Sequence, residues 1–534
     1  MKNYGNTIMR FMERIRDLLR NEKIEPRVYQ YWILNAILKA KLEKKNVIVE
    51  LDAGMGKRII TYLIARAFNK EKILVVSPSR ASIWDMALKF QELSGSDGWF
   101  GIIIGGQPKW LKKKVLREKR VILATPISLA RLLEHCGETP NFDIVIINEV
   151  DKAVRRVLRR SHTVSDREEH GVLRFEDLIG DSRGHIREGQ GMLTYPWNML
   201  KRLLPKDACW VGMSGTLRDE HYVIDDERKV IMQRELNTIA SELFPEKELV
   251  IITMETLLER TDLGEYITRN LTVIRPVPVQ DANIEIISNA ISAEIEKVLD
   301  RIREYNNKLY PAEQTPFETK EKIMKTISIL PDTNPLKIKF LRLALVRRFL
   351  FAGVPATYIR FLSKPMFRKL LREFKNVELE DVVPGSSTKI LQIVEITKSW
   401  LHRGKNVIIL TSFVRTASEI ARNLREGGVS KVLLLTGRVA NKKRVIEEFK
   451  KSTPSVLILT PVAERDLDFP EANLVIVHDV ISTVKSMYQR IKRARRSLVL
   501  ILYYKNTYEE KKVKVLLARI ARKYPWSIRI RSEK

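Results

Sequence analysis

Residues 51–58 read Leu51-Asp52-Ala53-Gly54-Met55-Gly56-Lys57-Arg58. Two closely spaced glycines followed by a lysine suit a phosphate group. Glycine lets the backbone wrap the phosphate oxygens, and the lysine reaches the β- and γ-phosphates. The run ahead of the loop, "NVIVE" (46–50), reads as a buried strand, and "RIITYLIARAF" (58–68) has helical apolar spacing. The loop is therefore expected between strand and helix, with the positive end of the helix facing the anion. Loops of this kind continue with Ser or Thr, whose hydroxyl helps to hold Mg²⁺. This chain has Arg58 there, which brings a positive charge and no oxygen ligand.

The elements that must carry this loop are legible in the apolar pattern. Strand candidates recur between helical stretches over 46–217: "NVIVEL" (46–51), "KILVVS" (72–77), "GIIIG" (101–105), "RVILAT" (120–125), "DIVIIN" (143–148) and "CWVGMS" (209–214). Continuous apolar strands between helices mean a parallel sheet covered on both faces. Residues 159–191 break the pattern; they are polar and glycine-punctuated, as in a surface insertion. From about 283 the strand signal gives way to helical spacing, and "VPGSSTK" (383–389) offers serines to cap the next helix. Alternation returns in "NVIILTSF" (406–413), "KVLLLTG" (431–437), "SVLILTP" (455–461), "NLVIVHDV" (473–480) and "SLVLILYYK" (497–505). The expected fold class is α/β: two tandem parallel-sheet domains with an all-helical insertion. The expected boundaries are 1–275, 276–385 and 386–534, the last with a short C-terminal helical tail.

Charge points to the partner. Lys and Arg number 95 against 65 Asp and Glu, a net charge of +30. Abundant Lys, Arg, Glu, Ile and Val with little Cys also fit a thermophile's ion-paired surface, but such a surface needs both signs. The basic surplus makes nucleic acid the expected partner. The surplus is densest over 337–375, with eleven basic residues and one acid, Glu373. Apolar residues interleave there ("FLRLALVRRFLF"), so one face can pack while the other meets phosphates. Lys337, Lys339, Arg342, Arg347, Arg348, Arg360, Arg368, Lys369 and Arg372 are the expected contacts. No apolar run is long enough to span a membrane. Cys136 and Cys209 are the only cysteines, which favours a reducing, cytoplasmic setting. The seven histidines show no ligand spacing, so no metal site of the zinc type is expected.

Ordered motifs then suggest a family. "PRVYQ" (26–30) precedes the loop, and "VVSPSRA" (75–81), "ATPISL" (124–129), "FDIVIINEVDKAV" (142–154) and "VGMSGTL" (211–217) follow it. The second half has "VIILTSFVRTASEI" (407–420), "LTPVAERDLDFPEANLVIVHDV" (459–480) and "YQRIKRARR" (488–496). The chain resembles a superfamily-two helicase, in particular the helicase portion of archaeal Hef and its eukaryotic relative FANCM. The resemblance covers nearly the whole chain. It implies two RecA-like domains that bind ATP between them, and a thumb-like helical insertion that grips duplex or branched DNA. No nuclease signature follows Arg496, so a separate nuclease or a repair or replication protein is the expected protein partner.

The resemblance also assigns residues. Gln30 would contact adenine, Gly54, Gly56 and Lys57 the phosphates, and Glu149 would orient and deprotonate the attacking water. Gln489, Arg490, Arg493 and Arg496 match the last motif, where Arg493 and Arg496 would act on the γ-phosphate. Asp468 belongs to the motif that couples nucleotide to strand, where Ala463 and Asp466 replace two glycines. The acid that normally positions Mg²⁺ is the neutral Asn148. Arg58 and Asn148 thus alter both metal-holding positions together, and Mg²⁺ prefers hard, usually anionic, oxygen ligands. The expectation is nucleotide binding with weak or absent Mg²⁺ and impaired hydrolysis, a pseudoenzyme that recognises DNA structure. The alternatives are an active ATP-dependent translocase, and a protein-interaction scaffold or RNA-binding pseudo-helicase.

Overall fold

The computed structural model describes residues 2–21, 27–52, 54–95, 98–136, 140–153, 195–215, 217–218, 220–224, 230–269, 271–309, 327, 330, 333–353, 387–437, 439, 442–460, 472–480, 484–492, 497–526 and 528–531. The chain divides at Arg269 and Asn270 into two compact units. The insertion expected at 159–191 lies outside the described residues.

The first unit runs α1 (Lys2–Asn21), α2 (Val28–Leu42), β1 (Asn46–Glu50), α3 (Lys57–Ala67), β2 (Ile73–Val76), α4 (Arg80–Ser94), β3 (Phe100–Ile103), α5 (Lys109–Glu118), β4 (Val121–Ala124), α6 (Pro126–Cys136) and β5 (Ile144–Asn148). It continues with α7 (Tyr195–Leu203), β6 (Cys209–Ser214), β7 (Glu220–Ile224), β8 (Val230–Arg234), α8 (Glu235–Glu242), β9 (Leu249–Ile252), α9 (Met254–Arg260) and α10 (Leu263–Arg269). Seven strands pair in parallel in the order β3-β4-β2-β5-β6-β1-β9. β1, β2, β4, β5 and β6 are buried along their whole length, as their unbroken apolar runs require when helices cover both faces. All six strands read from the sequence here are present. β9 and the antiparallel β7–β8 hairpin were not anticipated.

The second unit runs β10 (Thr272–Val279), α11 (Ala282–Leu309), α12 (Pro335–Ala352), α13 (Thr388–His402), β11 (Val407–Leu410), α14 (Val414–Glu426), β12 (Val432–Leu435), α15 (Lys442–Lys451), β13 (Val456–Leu459), β14 (Leu474–Val477), α16 (Val484–Lys492), β15 (Leu498–Tyr504), α17 (Tyr508–Lys523) and β16 (Ile528–Ile530). Its parallel sheet has the order β12-β13-β11-β14-β15-β10-β16. The expected boundary at 275/276 falls inside β10, which pairs with β15 and β16. Pro276 and Pro278 hid this strand, because proline cannot donate to a sheet ladder. They lie two residues apart, so both nitrogens face the same way, and β16 pairs only with Thr272–Ile274.

Strand alternation splits the second core. Val407 and Ile409 of β11 face a cluster with α11, α12, α13 and α14. Ile408 and Leu410 face the opposite cluster with α15, α16 and α17. On α11 the buried stripe is Ile284, Ile287, Ile291, Ile295, Val298 and Ile302, the three-and-four spacing of an amphipathic helix. The described helices between β10 and α13 therefore share one core with the second sheet. Ser387 caps α13 by accepting from the Ile390 N–H, as "VPGSSTK" suggested. Asn334 caps α12 and Pro335 follows it, a residue with no N–H to leave unpaired at that position. Among the described residues no helix is long and apolar enough to cross a membrane.

Candidate nucleotide and nucleic-acid sites

The loop between β1 and α3 has the geometry that its residues predict. Gly54 and Gly56 take left-handed φ angles of 87° and 76°, which a Cβ disfavours. A Cβ on Gly56 would also stand 3.0 Å from Gln30 Nε2. Lys57 Nζ donates to the carbonyls of Leu51 (2.7 Å) and Asp52 (3.2 Å), holding the ammonium against its own loop. Gln30, on α2, is 1% exposed, and neither amide atom has a hydrogen-bond partner in the structure. A buried amide in that state is costly unless a ligand completes it. Neighbours brace the loop. Tyr29 Oη donates to Met55 O at 2.8 Å, Arg27 donates to Tyr29 Oη and lies 3.9 Å from the Tyr266 ring centre, and Tyr266 Oη stands 3.4 Å from Gly54 O.

The two altered metal positions are held by protein partners. Arg58 Nη2 lies 3.7 Å from Asp85 Oδ2 of α4, with both side chains partly exposed. Asn148, at the end of β5, is 6% exposed. Its Oδ1 stands 3.4 Å from Thr61 Oγ1, and its amide nitrogen 3.8 Å from Met86 Sδ. Thr61 is fully buried and donates to Lys57 O at 2.9 Å. Glu149 has a left-handed φ of 53° and pairs with Lys152. Asp151 accepts from the Ser214 hydroxyl, joining β6 to the turn after β5. Around the loop stand a neutral amide, an arginine beside Asp85, and carboxylates engaged by Lys152 and Ser214. Among the described residues no group of three or more His, Cys, Asp or Glu is arranged to hold a metal.

Sequence reading missed Thr61, Asp85 and Lys152. Thr61 carried a signal: it follows Lys57 by four residues and so shares its helix face. A further clamp was also missed. Arg218 grips Glu50 through Nε (2.6 Å) and Nη2 (2.7 Å) and also binds Glu255. Burial works against the Arg218 charge, yet these bonds raise its pKa. The strand entering the phosphate loop is thereby fastened to the residue after "SGTL".

At the C-terminal ends of β2 and β3, Arg80 reaches the glycine pair. Its Nη2 would lie 2.8 Å from a Cβ on Gly106 and 3.4 Å from one on Gly105. Two elements that the sequence separates by 25 positions meet there.

In the second unit Asp479 is a hub. Its Oδ1 accepts from the Ser412 N–H (2.8 Å) and Thr411 Oγ1 (3.0 Å), its Oδ2 from the Ser412 hydroxyl, and His478 Nδ1 lies 3.2 Å from it. Burial opposes its charge, but the contact with His478, the nearby Arg490 and the Ser412 bond hold the carboxyl far below the usual range. Arg490 is buried and Gln489 half-buried on α16. Asp468, Arg493 and Arg496 lie outside the described residues, as do Arg360, Arg368, Lys369 and Arg372.

The described part of the basic run needs a correction. Lys337 is 7% exposed and donates to Leu330 O at 2.7 Å. Arg347 is 8% exposed, with its guanidinium 3.4 Å from the Tyr508 ring centre. Both serve packing and do not face solvent phosphate. α12 buries residues around most of its circumference, so counting charges overestimated its open face. Lys339 and Arg342 are partly exposed, Lys339 lying 3.8 Å from Glu294, and Arg348 lies 5.6 Å from the Phe413 ring centre.

Two parallel sheets in tandem, the first with a glycine–lysine loop at the head of a helix, define a pair of RecA-like domains of the P-loop NTPase type. The family profile described as DEAD/DEAH box helicase matches residues 28–165, and the one described as helicase conserved C-terminal domain matches residues 388–497. The Hef helicase domain of Pyrococcus furiosus superposes with a TM-score of 0.58 at 17% identity, covering 94% of this chain and 99% of that one. Dbp5 of S. cerevisiae, bound to RNA and ADP BeF3, gives a TM-score of 0.50 at 13% identity, covering 97% and 93%. A putative ATP-dependent RNA helicase of Methanocaldococcus jannaschii is 23% identical over 527 residues, 92% of this chain. The chain spans 59% of the length of that relative. An ATP-dependent RNA helicase of Homo sapiens is 32% identical over 158 residues, 26% of this chain and 17% of the relative. The chain therefore carries a superfamily-two helicase core.

Proposed function

We propose that this helicase core binds duplex or branched DNA and holds ATP without efficient hydrolysis, acting as a structure-recognising factor in repair or replication. The observation that carries the reading is the state of the two metal positions. Arg58 is paired with Asp85, and Asn148 is tucked against Thr61 and Met86. The phosphate loop keeps its glycine geometry and its lysine, so phosphate can still be bound. Glu149 would orient a water, and Gln30 offers an unmet amide to a base. Duplex or branched DNA is favoured by the Hef-like order of motifs.

The test measures ATP turnover with Mg²⁺, with and without forked DNA, beside Glu149→Gln. The proposal expects nucleotide binding and salt-sensitive DNA binding with negligible turnover in both proteins. DNA-stimulated turnover that Glu149→Gln abolishes would make the protein a motor and refute the reading. A second reading, RNA as the partner, is favoured by the names of the curated relatives, which are RNA helicases. Competition between RNA and DNA forks of the same sequence separates the two.

A further inference from the structure

Trp110 is 67% exposed, more than any other large apolar side chain among the described residues. It sits in the first turn of α5, and the helix is locked in orientation. Gly101 of β3 lacks a Cβ because Val115 Cγ1 would lie 2.4 Å from it, and Leu116 is buried in the core. With that side facing inward, Trp110, Lys114 and Arg117 are exposed at positions i, i+4 and i+7, one face of the helix. Residues 109–120 hold seven basic residues and one acid, Glu118. The helix begins three residues after Gly106, the glycine against which Arg80 is laid. The Gln107 side chain accepts from the Ile104 N–H at 2.9 Å and shapes the turn between them.

A large flat ring in a cationic surface asks for a partner that is both anionic and aromatic. An apolar protein surface would leave the surrounding ammonium and guanidinium groups unmatched, whereas a nucleic-acid strand matches both with phosphate and base. We infer that Trp110 is a stacking platform for an unpaired nucleobase, on a strand whose phosphates contact Lys114 and Arg117. The inference rests on the nucleic-acid reading above and adds to it a contact with the base itself. Stacking is tolerant of sequence, because every base has a π face.

Stacking and ion pairing have different signatures. Ion pairs release counterions and set the slope of affinity against salt, whereas a stacked base adds affinity without changing that slope. The probe is a short single-stranded DNA oligonucleotide carrying 2-aminopurine, beside the same oligonucleotide with abasic sites. Trp110→Ala is expected to weaken binding roughly 5- to 150-fold at every salt concentration, with slope unchanged and loss of 2-aminopurine quenching. Trp110→Phe is expected to retain most of the affinity. Lys114→Gln with Arg117→Gln is expected to lower the slope by about 1.4. The abasic oligonucleotide should bind wild type and Trp110→Ala alike. Equal binding of the base-bearing probe by wild type and Trp110→Ala would overturn the stacking role while leaving the nucleic-acid reading intact. No salt-sensitive binding of either single-stranded probe by wild type would overturn the stacking proposal, and the same absence with forked DNA and RNA would overturn the nucleic-acid reading too and leave the face to a protein partner. Unchanged thermal unfolding of Trp110→Ala, expected for so exposed a side chain, excludes misfolding as the cause.

Discussion

Removing the Lys389 charge should open the second unit locally, and removing both charges of its pair should not. Lys389, in the first turn of α13, is fully buried. Its Nζ donates to both oxygens of Glu509 (2.8 and 2.9 Å) and to Phe351 O (3.2 Å), and lies 4.3 Å from the Tyr504 ring centre. Glu509 also accepts from the Tyr504 N–H at 2.9 Å. The contacts join the end of α12, the start of α13 and the start of α17. Lys389→Met leaves a buried carboxylate without its cation, a loss of about 3–5 kcal/mol. Lys389→Met with Glu509→Leu removes both desolvation penalties and should be near neutral. A chain of two units need not unfold in one step, so the assay is native-state hydrogen exchange of the α13 and α17 amides. The single variant should exchange roughly 150- to 5,000-fold faster, as about 3–5 kcal/mol requires. The pH dependence has a definite sign. Burial already pushes the Glu509 carboxyl up, while Lys389 pulls it down. Without the lysine the folded-state pKa rises further above the unfolded value. The deficit should then be least in acid and grow as pH rises through the folded pKa. A single variant within about 1 kcal/mol of wild type, or a double variant as damaged as the single, would refute the claim that the pair acts as a unit.

Three further outcomes are expected. Arg58→Thr with Asn148→Asp should restore Mg²⁺-dependent strengthening of nucleotide binding, measured by titration with and without the metal. Asp85→Asn should accompany it, because Arg58→Thr alone leaves the Asp85 carboxylate without its cation near incoming phosphate. Ser214→Ala should cost about 1 kcal/mol of local stability by leaving Asp151 short of a donor, read from exchange at the end of β6. Finally, Cys136 should react with a thiol reagent well before Cys209. Cys209 is buried, and burial pushes its thiol up to about 11. Its contribution to stability is therefore present below about pH 9 and lost between about 9 and 11.

How far the sequence was legible follows from the range of the interactions concerned. Strands covered on both faces leave unbroken apolar runs, so β1 to β6 and β11 to β15 could be read directly. β10 could not, since Pro276 and Pro278 are tolerated only because β16 pairs with three of its residues. Local chemistry was legible too: Gly54 and Gly56 take the left-handed conformations that the phosphate loop demands, and Ser387 caps α13. The basic run over 337–352 misled, because a lysine or arginine count carries no information on which side of a helix is covered. Lys337 and Arg347 spend their charges on Leu330 O and the Tyr508 ring.

The unread part of the site has one physical cause. Arg58 meets Asp85 across 27 residues, Asn148 meets Thr61 across 87, and Arg218 meets Glu50 across 168. Each pair joins elements whose neighbours are set by crossover connections, so spacing along the chain says nothing of their approach. The changes at 58 and 148 could be seen in the sequence as departures from a pattern. What the fold adds is that each altered residue has a partner within the protein. The pairing of Arg58 with Asp85, and of Asn148 with Thr61 and Met86, is the observation on which the proposed loss of magnesium-dependent turnover stands or falls.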